Sequence, residues 1–249
     1  MSRKPHKVLG VLGGMGPAAT AEFLRLLAEM AGVERDQDHP KVLLFSNPQI
    51  PDRTAAIIGG GEDPAPAIFE GLRRLESWGA ELLAVPCNTA HVFIDKFRED
   101  LNVPLVHIVE ETITSARKAS PEGAWLIATS GTSSSGIYTR EAHRQGYSLL
   151  QPSGEIQRQL QLIIGLVKTN RLKESGETMA NTVMELWNEK ELPVVAACTE
   201  LPLAFNASGL ASAGMVSSLE SLAGACLEMI YSSSCPPRSG PSREDISLG

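Results

Sequence analysis

Short apolar runs, four to six residues long and rich in Val, Leu and Ala, alternate along this chain with longer stretches whose apolar positions recur at helical spacing. The short runs at residues 7–12, 42–45, 81–85, 103–108, 123–128 and 192–197 predict buried strands. The longer stretches at 18–31, 66–77, 90–99, 109–118, 155–168, 172–188 and 219–231 predict helices, with a further helix starting at Ile137. Ile68, Leu72 and Leu75 share one helix face, as do Ile156, Leu160, Ile163, Ile164 and Val167. Strands alternating with helices imply parallel sheets joined by right-handed crossovers, so the fold class is α/β.

Two of the predicted strands end alike. Residues 81–85 run into Pro86-Cys87-Asn88-Thr89-Ala90, and residues 192–197 run into Cys198-Thr199-Glu200-Leu201. Each places a cysteine at a strand end, a hydroxyl residue one or two positions later, and a helix-compatible segment beyond. The layout upstream also repeats. Residues 7–12 lead into Gly13-Gly14-Met15-Gly16-Pro17, and residues 123–128 lead into the polar run Thr129 to Gly136. The chain therefore reads as a duplicated half-fold that contributes one thiol from each half.

At the C-terminal end of a parallel strand, side chains face the crevice in which α/β proteins bind ligands. Two thiols facing one carbon could act as an acid/base pair. A thiolate takes a proton from one face, a thiol delivers one to the other, and the centre is inverted. This scheme calls for no cofactor. Buried, inert cysteines would explain the same residues structurally.

Composition narrows the function classes. There are 29 acidic and 22 basic residues, a net charge of −7, and no long basic run, which argues against a nucleic-acid footprint. No stretch approaches the length of a membrane span, and the N-terminus lacks the pattern of a secretory signal. A cytoplasmic protein with reduced thiols is expected. The four cysteines, Cys87, Cys198, Cys226 and Cys235, make no metal-ligand spacing, so no metal is expected. Cys226 shares a helix face with Leu222 and Met229 and reads as a core residue. The Ser- and Pro-rich stretch 232–249, which holds Cys235, reads as a disordered tail.

The glycine turn suits close approach to an anion at a helix start, yet it lacks the G-x-G-x-x-G spacing of a dinucleotide site. The segment Asn47-Pro48-Gln49-Ile50-Pro51-Asp52-Arg53-Thr54 reads as an ordered loop. Its Arg53 is a candidate for binding a carboxylate, although on its own the residue reads more readily as a surface arginine capping a helix. Lys168, at the end of a helix, either complements the helix dipole or supplies a second cation. The Ser/Thr run 129–136 reads as a polar loop.

Taken together, the glycine turn, the Asn47 to Thr54 segment, Pro86-Cys87-Asn88-Thr89-Ala90-His91 and Ala197-Cys198-Thr199-Glu200-Leu201-Pro202 resemble the aspartate/glutamate racemase family, most closely its aspartate racemase branch. The resemblance runs in order from Val8 to about Met229. It implies two pseudo-symmetric α/β lobes, each a mostly parallel sheet flanked by helices, with the active site between them. The lobes are expected as residues 1–112 with 207–231, and 113–206.

The resemblance further implies racemisation without pyridoxal phosphate, in a homodimer, with Cys87 and Cys198 as the acid/base thiols. Asn88, Thr89, Thr132 and Thr199 would bind the α-carboxylate and nearby groups, and Met15 and Gln49 would line the pocket. Arg53 and Lys168 would take the side-chain carboxylate. The expected partner is thus a small acidic amino acid, with neither nucleic acid nor a membrane. Where many relatives carry an aspartate near the start of the last helix, this chain has Ser217. The alternatives are another reaction of the same superfamily on a dicarboxylic acid, an isomerisation or a decarboxylation, or a non-catalytic protein that binds a dicarboxylate or a nucleotide.

Overall fold

The computed structural model describes residues 4–232. The tail from 233 onwards, with Cys235, lies outside the described residues. The fold is two parallel four-stranded sheets flanked by helices. The first contains β1 (Leu9–Gly13), β2 (Val42–Ser46), β3 (Leu82–Ala84) and β4 (Leu105–Val106), in the order β2-β1-β3-β4. The second contains β5 (Ala124–Ala128), β6 (Leu149–Leu150), β7 (Val194–Ala197) and β8 (Met215–Ser217), in the order β6-β5-β7-β8. One strand order is the other repeated.

The helices are α1 (Pro17–Met30), α2 (Arg53–Ile58), α3 (Ala65–Ser77), α4 (His91–Ile94), α5 (Ile108–Ala119), α6 (Ser130–Ser135), α7 (Ile137–Arg144), α8 (Gly154–Lys168), α9 (Leu172–Glu189), α10 (Leu201–Ala207) and α11 (Ser218–Tyr231). Among the described residues, no helix is long and apolar enough to cross a membrane.

The central strands β1, β3, β5 and β7 are buried on both faces, which is why they read as continuous apolar runs rather than as alternating ones. The period of two reappears in where the side chains go. Leu82 and Ala84 of β3, and Leu126 and Val195 of β5 and β7, enter one core between the two sheets. Leu83, Val85 and Cys87 turn to the outer side, against α3 and Ile50. Val194, Ala196 and Cys198 turn the matching way, against α8, α9 and α10. The two cysteines thus have the same parity at the ends of equivalent strands.

The helices α5 and α11 fill the space between the sheets. α5 follows β4 yet packs on α7, β7 and β8; α11 follows β8 yet packs on α1, β3 and β4. Val109 and Ile113 of α5 and Leu222 and Leu227 of α11 lie in this shared core, each contributing about 1.5–3 kcal/mol on burial. The expected lobe boundary after residue 112 falls within α5. Cys226 is fully buried in this core, as its helix face implied.

Several expectations need correction. The run Thr129 to Gly136 is not a loop: the Thr129 side chain caps the N-terminus of α6, accepting from the Thr132 N–H, and Gly136 ends the helix at φ 66°. The segment 46–54 is a loop only up to Asp52, which caps α2, so Arg53 opens a helix. The helix expected over 90–99 shrinks to α4, followed by a short 3-10 turn at Arg98–Asp100. The strand expected over 103–108 forms only two ladder residues, because His107 turns the chain to cap α5. The two-residue β6 and the three-residue β8 carry too little apolar sequence to be recognised in advance.

Candidate active site

A cleft of about 350 Å³, its open mouth included, lies where the ends of β3 and β7 meet α2 and α8. Met15, Arg53, Cys87, Asn88, Thr89, Lys168, Cys198 and Thr199, all expected site residues, line it. Asp52, Thr54, Thr129 and Glu200 line it too and were not singled out by sequence. Two expected residues lie elsewhere. Thr132 is buried directly behind the lining, where its hydroxyl bonds Thr89 Oγ1 at 2.8 Å and Thr129 Oγ1 at 3.0 Å. Gln49 is exposed, because its neighbour Ile50 turns into the core and leaves it facing outward.

The glycine turn brings the start of α1 to the cleft. Gly14 has φ 94°, and a Cβ there would come within 2.4 Å of the Asn47 backbone. Only glycine satisfies both constraints. On the facing side, α2 packs on α6, and a Cβ on Gly131 would lie 2.9 Å from Thr54 Cα. The two halves therefore approach at backbone distance beside the site.

Asn88 is held firmly. Its Nδ2 donates to Ser218 Oγ at 3.0 Å, and its Oδ1 accepts from the Tyr138 hydroxyl at 2.5 Å. Burial pushes the Tyr138 hydroxyl well above its ordinary range, so it stays protonated and donates. Ser218, not Ser217, supports the site. Ser217 caps α11 by accepting from the Glu220 N–H. His91 anchors the turn after Cys87: its Nδ1 donates to the Cys87 carbonyl at 2.9 Å, and its Nε2 accepts from the Ile108 N–H at 3.5 Å. Burial, with His107 alongside, holds His91 well below the ordinary histidine range, which matches this neutral tautomer.

Arg53 is preset by its own loop. Its Nη1 donates to the carbonyls of Ile50 and Pro51 at 3.1 and 3.0 Å, while its buried Nε has no partner. An orphaned donor of this kind costs about 1–3 kcal/mol, which an incoming carboxylate oxygen would offset.

The thiols differ in surroundings. Burial pushes Cys87 above the ordinary thiol range; the Arg53 guanidinium and the Ala90 N–H offset part of that rise, and the Glu200 carboxylate adds a little to it. Burial also pushes Cys198 up, and the Glu200 carboxylate adds to the rise, leaving it well above the ordinary thiol range. The Cys198 Sγ donates to Glu200 Oε2 at 3.1 Å. A thiol beside a cation and a thiol beside an anion can hold opposite protonation states, as an acid/base pair needs.

A family model for Asp/Glu/hydantoin racemases matches residues 12–223, which includes every lining residue of the cleft. The chain belongs to this family. Its structure is similar to that of the Picrophilus torridus aspartate racemase, with a TM-score of 0.79 and 30% identity over 91% of this chain and 94% of that one. In sequence it is similar to the broad specificity amino-acid racemase RacX of Bacillus subtilis, 29% identical across 78% of this chain and 86% of RacX. The glutamate racemase isoform RacE1 of Bacillus anthracis shares the fold at a TM-score of 0.66 and 19% identity, covering 90% of this chain and 82% of that one.

Proposed function

We propose that this chain interconverts L- and D-aspartate by proton transfer between Cys87 and Cys198, with glutamate as a second acidic substrate. The observation that carries the reading is that both thiols, from equivalent strand ends of two sheets, line one cleft together with Arg53 and Lys168. One thiolate removes the α-proton from one face and becomes a thiol. The opposing thiol delivers its proton to the other face and becomes the thiolate. The reverse reaction exchanges the roles. The free side-chain N–H of Asn88 and the hydroxyl of Thr89 would hold the α-carboxylate and stabilise the enolate-like charge that develops on it; the hydroxyls of Thr129 and Thr199, which donate to Thr132 Oγ1 and Glu200 Oε2, would have to turn to join them.

The unpaired Arg53 Nε and the nearby Lys168 favour a substrate with a second carboxylate. The similarity to an aspartate racemase supports the same choice. A wider substrate range is the second reading. The RacX similarity favours it, as does an adjoining open cavity of about 1130 Å³ that is lined partly by Pro17, Pro48, Ile50 and Val167 and could accept longer side chains. A homodimer belongs to the proposal and is checked by light scattering.

The test is proton NMR in D₂O with L-aspartate, L-glutamate and L-alanine and no added cofactor, followed by chiral chromatography. Loss of the α-proton signal with D-aspartate appearing, faster than for the other two, is the expected result. Equal rates on all three would favour the wider range. No exchange with any of them would reject racemisation.

A further inference from the structure

Glu200 is the residue of the cleft whose part the two-thiol scheme leaves open. It is buried, only 6% exposed, and lines both the inner cleft and the adjoining cavity. Its Oε2 accepts from Cys198 Sγ at 3.1 Å and from Thr199 Oγ1 at 3.2 Å. Its Oε1 faces the Gly16 backbone, 3.3 Å from where a Cβ would sit. Among the described residues, no lysine, arginine or histidine nitrogen forms a salt bridge with it. A buried carboxylate with no ion-pair partner is expensive, and it calls for a cation supplied from outside.

The charges lining the cleft indicate which cation. Arg53 and Lys168 are the lining cations; Glu200 and Asp52 are the lining carboxylates. Asp52 is exposed, and its Oδ1 is engaged by the Ala55 N–H at 2.7 Å. An acidic amino acid brings two carboxylates and one ammonium. The carboxylates match the two cations, and the α-ammonium matches Glu200.

Resting on the racemase reading, we propose that Glu200 recognises the substrate's α-ammonium through Oε1 while Oε2 holds the Cys198 thiol, so that ammonium binding and the proton-donating state of Cys198 are coupled. The enantiomer that Cys87 deprotonates reaches a Cys198 that Glu200 keeps protonated. The arriving ammonium then neutralises Glu200 and removes the charge that opposes thiolate formation, at the moment Cys198 must release its proton to the α-carbon. Glu200 makes no bond to the reacting carbon in this scheme; toward Cys198 it is a positioning residue. The other charged or titratable groups around the pair are Lys168 at the end of α8, Asp52 and Arg53 at the start of α2, Cys87 at the end of β3, and Tyr138 of α7, whose hydroxyl donates to Asn88.

The test separates the ammonium from the rest of the substrate. L-Aspartate and succinate, which lacks the amino group, are titrated as protectants of the thiols against iodoacetamide in the wild-type protein and in Glu200→Gln. The glutamine is close in shape and can still accept from Cys198, but it carries no charge. The expected result is a loss of about tenfold or more in aspartate affinity, with succinate affinity unchanged or improved. Equal weakening of both ligands would mean a structural role and overturn the proposal. If E200Q does not fold, Glu200→Asp, which withdraws the carboxyl by one methylene, is read for the same split.

A second readout follows α-proton exchange in D₂O in Cys87→Ser, where Cys198 is the remaining base. Adding E200Q should lower the pH at which exchange sets in by about one unit or more; an unmoved onset would break the coupling. If the wild-type protein exchanges no amino acid at all, the racemase reading fails, and the aspartate and succinate titrations still decide whether Glu200 reads the ammonium.

Discussion

The two halves of the molecule can be laid on each other by sheet register, and the site is where they stop matching. Val11, the third residue of β1, pairs with Ala84; Leu126, the third residue of β5, pairs with Val195. Three residues beyond each partner stand Cys87 and Cys198. The same register sets Asn88 against Thr199, Thr89 against Glu200, and His107 against Ser217. His107 and Ser217 both cap the following helix, although one is an imidazole and the other a hydroxyl. Thr89 reaches across to Thr129 and Thr132 at the start of α6, and Glu200 reaches across to Gly16 before α1. The scaffold is symmetric and the electrostatics are not: a neutral hydroxyl stands on one side where a carboxylate stands on the other. The lesson is that the repeated topology supplies two equivalent thiol positions, while the neighbouring residues give the thiols different surroundings.

The largest break in this comparison comes from the thiols themselves. Cys87→Ser and Cys198→Ser should each lower racemisation by about a thousandfold or more, as read by chiral chromatography. Each variant should still exchange the α-proton of one enantiomer, and a different one in each case. Appreciable full racemisation by either single variant would reject the paired scheme.

The turns before the first helix of each half break differently. Gly14→Ala forces a side chain into a φ 94° position against the Asn47 backbone and should cost about 3 kcal/mol by denaturant unfolding. Thr129, its counterpart by register, has φ −65° and acts as a cap, so Thr129→Ala should cost only about 1 kcal/mol.

On the cationic side, Arg53→Ala should lower kcat/KM for aspartate by about 10- to 100-fold and for alanine far less. It should also shift the acid limb of the pH profile. Removing the guanidinium takes away the positive charge that favours the Cys87 thiolate, so Cys87 rises further and the limb moves to higher pH. A limb that stays in place would separate Arg53 from Cys87. Lys168 is exposed, so solvent screens its charge, and Lys168→Met should raise KM for aspartate only by about two- to fivefold.

Much of this was readable along the chain because it is local. Runs of apolar residues marked the central strands, helical spacing marked α3, α8 and α9, and matching strand-end cysteines marked the two halves. Lys168 and Arg53 could be chosen by charge and context. Tertiary structure decided what depends on a neighbour distant in sequence. The strands β6 and β8 exist because a longer strand offers them an edge, not because two or three residues specify a strand. Gln49 leaves the cleft because Ile50 takes the inward place in the core. Ser218, rather than Ser217, supports Asn88 across a separation of 130 residues. Glu200 was visible as a letter beside Cys198, but its meaning required the cleft: a carboxylate is ordinary in water, and only burial beside a thiol, facing the other half and without a paired cation, turns it into a demand for a ligand's positive charge.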